Sequence, residues 1–189
     1  MVKIEPSPIK PKLRLPISRF ISLEITKSTT EEASLMLTQT LQNPPINAAP
    51  LAIAFLNMYK YNVVCTNKEA LAAFYSMNYI YTDGIALQLA RCILKLPRFP
   101  RLSGTDLLPR FLQHHIPLHS KVFLLGGPPS LCTTVKSHFA KDFPRAKLVG
   151  SHHGYFTDLN NNQLIATINA SEAELLLIGM GTPTQEIWL

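Results

Sequence analysis

Lys121-Val-Phe-Leu-Leu125, then Gly126-Gly127-Pro128-Pro129, then Ser130 to Ala140 form the clearest unit of this chain. A short uninterrupted apolar run predicts a strand buried on both faces. The glycine pair predicts a tight turn, and a proline suits the first turn of the next helix, where its missing N–H would have no partner anyway. Glycines at such a strand end let backbone N–H groups approach a phosphate, and a helix N-terminus adds positive potential. The run is neither a G-x-G-x-x-G fingerprint nor a P-loop, since no Gly-Lys-Ser/Thr follows. Taken alone, such a turn is more often plain loop geometry than a ligand site.

Similar units lie on both sides. Upstream, Phe20 to Ile25 alternates as a strand, and Thr29 or Thr30 with Glu32 predicts a capped helix to Leu41, stopped by Asn43-Pro44-Pro45. Leu51 to Leu56 reads as a buried strand, Lys68 to Met77 as a helix, and Tyr79 to Tyr81 as a strand that delivers Asp83 to its end. Gly84 to Leu94 and Asp106 to His114 read as helices. Downstream, Leu148-Val149 begins a strand, Leu159 to Asn169 a helix, and Glu174 to Ile178 an apolar strand. This alternation predicts an α/β, Rossmann-like fold: a mainly parallel sheet with helices on both faces. Residues 1–17 are basic and proline-rich and predict a disordered tail; residues 18–189 predict a single domain.

With 47% hydrophobic and 16% charged residues, the 189-residue chain can bury a sizeable core. Aromatics at 8% offer no stacking platform for single-stranded nucleic acid, and no nucleic-acid partner is expected. The net charge of +6 is concentrated. Lys3, Lys10, Lys12, Arg14 and Arg19 face only Glu5 in residues 1–19, and Arg91, Lys95, Arg98, Arg101 and Arg110 face only Asp106 in residues 91–110. Such clusters suit an anionic partner, either phosphate groups or an acidic membrane face. Three cysteines without metal-ligand spacing predict a reduced, intracellular protein. No apolar run approaches the roughly 18 residues of a membrane span, and the proline-broken start lacks the h-region of a signal peptide. Any contact with a membrane is therefore expected at its surface.

Four aspartates stand in the chain, Asp83, Asp106, Asp142 and Asp158, and none forms the Asp-x-Asp pair that holds a divalent ion against a pyrophosphate. Helix dipoles and basic side chains would then meet a leaving group's charge. Asp83 follows a strand and precedes Gly84, which suits a carboxylate facing the crevice at the strand ends or, equally, a helix N-cap. His152-His153 is expected to point opposite ways along an extended segment and to hydrogen-bond in a loop rather than to bind metal. His114, His115 and His119 read the same way.

Six motifs occur in order: Asn57; Tyr81-Thr-Asp-Gly84; Arg101-Leu-Ser-Gly-Thr-Asp106; Phe123-Leu-Leu-Gly-Gly127; Gly150-Ser-His-His-Gly-Tyr-Phe156; and Gly179-Met-Gly-Thr-Pro-Thr-Gln-Glu-Ile-Trp188. Together they resemble the WecG/TagA/CpsF glycosyltransferase family over residues 18–189. The resemblance implies an inverting, metal-independent enzyme with no cofactor. It would move an N-acetylmannosamine-type sugar from a UDP-sugar donor to undecaprenyl-diphosphate-linked N-acetylglucosamine. The reaction would serve cell-wall and surface polysaccharide biosynthesis, such as teichoic acid or enterobacterial common antigen. The protein would be cytoplasmic and peripheral on the inner face of the cytoplasmic membrane.

By the same resemblance, Asp83 would be the general base, Asn57 would place the donor sugar, and Arg101 would face phosphate or acceptor. Tyr155 would contact uracil or ribose. Gln185 and Glu186 would bind the sugar or shape the crevice wall, although first-turn charge explains Glu186 equally well. Gly104, Gly126, Gly127 and Gly181 are the remaining substrate-side positions, the last three letting backbone approach the nucleotide. Trp188 reads as packing.

Two departures carry expectations. Phe55-Leu56 stands where the family has Thr-Pro, which places a ring toward the sugar pocket. Family members also continue past the Gln-Glu motif, so the chain is expected to lack a closing C-terminal segment. That gives an alternative, a non-catalytic remnant that binds UDP-sugar or a protein partner, and it leaves apolar surface for a homo-oligomer.

Overall fold

Thr29 opens the first helix of the computed structural model, which describes residues 17–20, 23–44, 49–96, 100–156 and 158–189. Its hydroxyl accepts from the Glu32 N–H at 3.2 Å, and the Glu32 carboxylate accepts from the Thr29 N–H at 2.8 Å. This reciprocal box holds the start of α1 (Thr30–Gln42), and its bonds to the charged form draw the Glu32 carboxyl below its usual range.

Two parallel strands carry the first half of the core. β3 (Ile53–Leu56) pairs with β4 (Tyr79–Thr82) from Ile53↔Tyr79 to Leu56↔Thr82. Alternate residues of a strand face opposite sides. Ile53, Phe55, Tyr79 and Tyr81 join α1 through Ala33, Met36 and Leu37. Ala54, Leu56 and Ile80 instead meet Val64, Phe74 and Leu87, from α2 (Met58–Thr66), α3 (Lys68–Ser76) and α4 (Ile85–Ile93). Helices thus cover both faces.

The second half is built around β5 (Ser120–Gly126), which lies between β6 (Ala146–His152) and β7 (Leu175–Gly179), all parallel. Connections run through α6 (Pro129–Asp142) and α7 (Asp158–Ala170), and α8 (Thr184–Trp188) follows β7. Val122, Leu124, Leu175 and Leu177 pack into the cluster that holds Tyr79 and Tyr81, so one hydrophobic core joins the two parallel groups. The expected α/β arrangement with parallel strands holds, but among the described residues the strands form two parallel sheets and a hairpin rather than one sheet.

Several local expectations change. The strand expected over Phe20 to Ile25 is part of an antiparallel pair, β1 (Ile17–Phe20) with β2 (Leu23–Thr26), because alternation cannot register a reversal of direction. Only residues 17 onward of the expected basic tail are described, and Ile17 stands in β1. The helix α2 had no signal, since its sequence shows little amphipathic period and only Val64 is fully buried. The helix expected from Asp106 begins earlier, as α5 (Gly104–Arg110), because Ser103 caps it by accepting from the Asp106 N–H. Pro109 withdraws a donor from this segment, and one π-helical turn, Phe111–His115, completes it.

Tyr81 is fully buried, with its ring stacked on Tyr79, and its hydroxyl has no hydrogen-bond partner. Burial pushes its phenol pKa up. Removing an unpaired buried polar group relieves its desolvation cost, so Tyr81→Phe should raise stability by about 1 kcal/mol. Urea unfolding would show a higher midpoint at unchanged slope; a lower midpoint would reveal a partner for the hydroxyl.

Candidate active site

The parallel pairing of β3 and β4 sets two predicted residues side by side. Leu56 pairs with Thr82, and the Asp83 N–H donates to the Leu56 carbonyl at 2.8 Å, so Asn57 and Asp83 leave adjacent strand ends together. The C-terminal edge of a parallel sheet is where α/β folds place their ligands. The helix-cap reading of Asp83 is overturned. Gly84, at φ 83°, is the N-cap of α4 and makes no side-chain cap bond, which leaves the half-buried Asp83 carboxylate out of that task.

Arg101 runs beside this edge. The Leu102 N–H donates to the Thr82 carbonyl at 2.9 Å, and the Thr82 hydroxyl donates to the Pro100 carbonyl at 3.0 Å. Arg101 Nη2 lies 2.6 Å from Asp106 Oδ2, and this bond mainly raises the guanidinium pKa, with the Asp83 charge adding to it. Asp106 is held low by the same contact.

Asn57 caps α2, its side-chain oxygen accepting from the Lys60 N–H at 2.9 Å, which leaves its amide N–H groups to donate. Lys60, one turn on, reaches across the fold. Its Nζ lies 2.8 Å from Glu186 Oε1, an oxygen that also accepts from the Thr182 hydroxyl at 3.0 Å and from Gln185 Nε2 at 2.8 Å. The Lys60 and Glu186 side chains are 15% and 3% exposed. Glu186 stands in the first turn of α8, where its charge was expected to complement the helix dipole, and it is also engaged in a buried ion pair. Gln185 is engaged at both ends, since its Oε1 also accepts from the Gly181 N–H at 3.1 Å. Gln185 thus ties the Gly181 turn to Glu186.

At the other strand ends, Gly126, Gly127, Gly154 and Gly179 converge. A Cβ on Gly126 would stand 2.3 Å from the Gly179 carbonyl oxygen, and Gly126 also has φ 144°. Only glycine allows β5 and β7 to meet so closely. The Gly127 N–H donates to the Gly179 carbonyl at 3.2 Å, and the Gly154 N–H to the Gly127 carbonyl at 3.0 Å. A cleft of about 340 Å³ opens on this turn, walled by Leu124, Leu131 and Val135, with Ser151 on its border.

His152 and His153 do not diverge. The strand ends at His152, so alternation no longer applies, and the two rings lie 4.3 Å apart. They do hydrogen-bond in the loop: His152 Nδ1 pairs with the His153 carbonyl at 2.7 Å, and the Tyr155 N–H donates to His153 Nδ1 at 3.2 Å. Tyr155 itself is 72% exposed. Trp188 packs edge-on to Phe156 and donates to Asn161 Oδ1 at 2.7 Å, a packing role as expected. Among the described residues no three His, Cys, Asp or Glu side chains cluster as a metal site would require.

Gly104 and Phe55 lie against each other. A Cβ on Gly104 would stand 3.2 Å from the Phe55 ring, which also lies 6.0 Å from the Tyr81 centroid. The Phe55 ring is partly buried and packs against the core, and Gly104 provides room beside it. Lys60 was missed by sequence reasoning; its only signal is its position one helical turn after Asn57.

Asn57, Asp83 and Arg101 line one parallel edge, the glycine turn lines the other, and the Lys60–Glu186 pair ties α2 to the Gly181–Gln185 turn. The sequence model of the Glycosyl transferase WecG/TagA/CpsF family matches residues 18–189. With all six motifs inside that span, the chain belongs to the WecG/TagA/CpsF glycosyltransferase family.

Proposed function

We propose that this chain moves an N-acetylmannosamine-type sugar from UDP to undecaprenyl-diphosphate-linked N-acetylglucosamine, with inversion. Asp83 takes the proton of the acceptor hydroxyl as its oxygen attacks the anomeric carbon. The bond from that carbon to the UDP oxygen breaks, and UDP leaves with the bonding pair. Arg101 faces the phosphates, the Asn57 amide holds the donor sugar, and backbone N–H groups near Gly126, Gly127 and Gly181 meet the nucleotide. Tyr155, exposed on its loop, is free to cover the base or ribose.

The observation that carries this reading is the adjacency of Asn57 and Asp83 at paired strand ends, with Arg101 within electrostatic reach of Asp83. No described helix is long and apolar enough to cross a membrane, which is compatible with action at a bilayer surface. The test is incubation of purified protein with UDP-N-acetylmannosamine and a lipid-diphosphate-linked N-acetylglucosamine. Release of UDP together with a disaccharide on the lipid is expected. Transfer from UDP-N-acetylglucosamine but not from this donor would refute the sugar assignment.

A further inference from the structure

The apolar face of α4 has no cover among the described residues. Ile85, Leu89 and Ile93 recur at intervals of four along one side of the helix, and all three are exposed, Ile85 at 68% and Ile93 at 80%. Leu94 and Leu96 extend the patch, while Leu87 and Arg91 occupy the buried side. Exposed apolar stripes of this kind mark contact surfaces.

Charge narrows the choice of occupant. No acidic residue stands between Asp83 and Asp106 in the sequence, and exposed Lys95 follows the stripe at the end of the helix. A second copy seated on this face about a twofold axis would bring like charges together. An anionic bilayer would take the apolar side chains into its headgroup boundary and attract Lys95. The helix also starts at Ile85, two residues after Asp83, so a bilayer on this face would hold a lipid-linked acceptor near the carboxylate.

We propose that the Ile85–Leu89–Ile93 stripe of α4, flanked by Lys95, docks the protein on an anionic lipid surface. The identity of the occupant rests on the lipid-linked acceptor proposed above.

The test is co-sedimentation of the full chain, without substrates, with phosphatidylglycerol/phosphatidylcholine vesicles and with phosphatidylcholine alone. The chain should sediment with the anionic vesicles at least tenfold more strongly than with the neutral ones. Leu89→Gln/Ile93→Gln, with unchanged circular dichroism, should lose most of this binding, and Lys95→Glu should weaken it and reduce its salt dependence. Undiminished sedimentation of the double variant would overturn the proposal. So would a dimer in the parent chain that the double variant converts to monomer, which would assign the face to a second copy. A parallel transfer assay with a water-soluble N-acetylglucosamine diphosphate ester keeps the two readings apart. Stripe-dependent sedimentation without any transfer would support the docking face and count against the enzymatic reading. Transfer by both parent and double variant with equal sedimentation would do the opposite.

Discussion

Asp83→Asn should lower sugar transfer by roughly 10²–10⁴-fold, the range a positioned general base contributes, while UDP affinity stays unchanged. The amide keeps the size of the carboxylate but cannot take the acceptor's proton at neutral pH. Asp83 is well suited to this test, because Gly84 rather than Asp83 is the cap residue of α4, and the Asp83 backbone bond to Leu56 survives the substitution. Melting temperature should therefore hardly move. Transfer kinetics, calorimetric UDP binding and thermal unfolding on the same preparations separate the outcomes. Equal turnover by both proteins would remove Asp83 from the chemistry. A parallel loss of UDP binding would move it to nucleotide contact.

Lys60→Met should destabilise the fold by about 3 kcal/mol, the lower end of the cost of removing one partner from a buried ion pair. The lower end applies because Lys60 is 15% exposed, whereas the Glu186 left behind is 3% exposed. Glu186 Oε2 already lacks a hydrogen-bond partner, so losing Lys60 leaves the carboxylate with only the Thr182 and Gln185 donors on its other oxygen. The double variant Lys60→Met/Glu186→Gln should recover more than half of the loss, since an uncharged amide can still accept those two bonds. Urea unfolding of the four proteins closes the cycle. Additive losses would mean that the two residues act independently. The Lys60→Met variant should also weaken UDP-sugar binding, because Gln185 and the Gly181 turn lose their tie to α2.

These two residues show where reading the chain succeeds and where it stops. The strand-end position of Asp83 was legible because its signal is local: an apolar run, an aspartate and a glycine in succession. Its helix-cap reading fell when the backbone of Gly84 took the cap position. Lys60 and Glu186 stand 126 residues apart, and no periodicity links them. Glu186 had a local reading, the charge of a helix's first turn, which holds, and the fold adds to it a buried ion pair. Gly104 is the reverse case: its motif suggested ligand contact, and the Phe55 ring beside it supplies a packing reason for the missing side chain.

The sequence by itself determined the alternation of strands and helices, the Gly126-Gly127 turn, the Thr29 capping box and the ordered motifs that mark the family. Each depends on neighbours within a few residues, where backbone sterics, capping and apolar period act directly. Only the tertiary structure decided how the parallel strands divide between two sheets, that Asp83 emerges beside Asn57, and that Lys60 meets Glu186. Strand order and side-chain partnership depend on which distant surfaces exclude water together, and hydrophobic burial has no direction of its own to announce that choice.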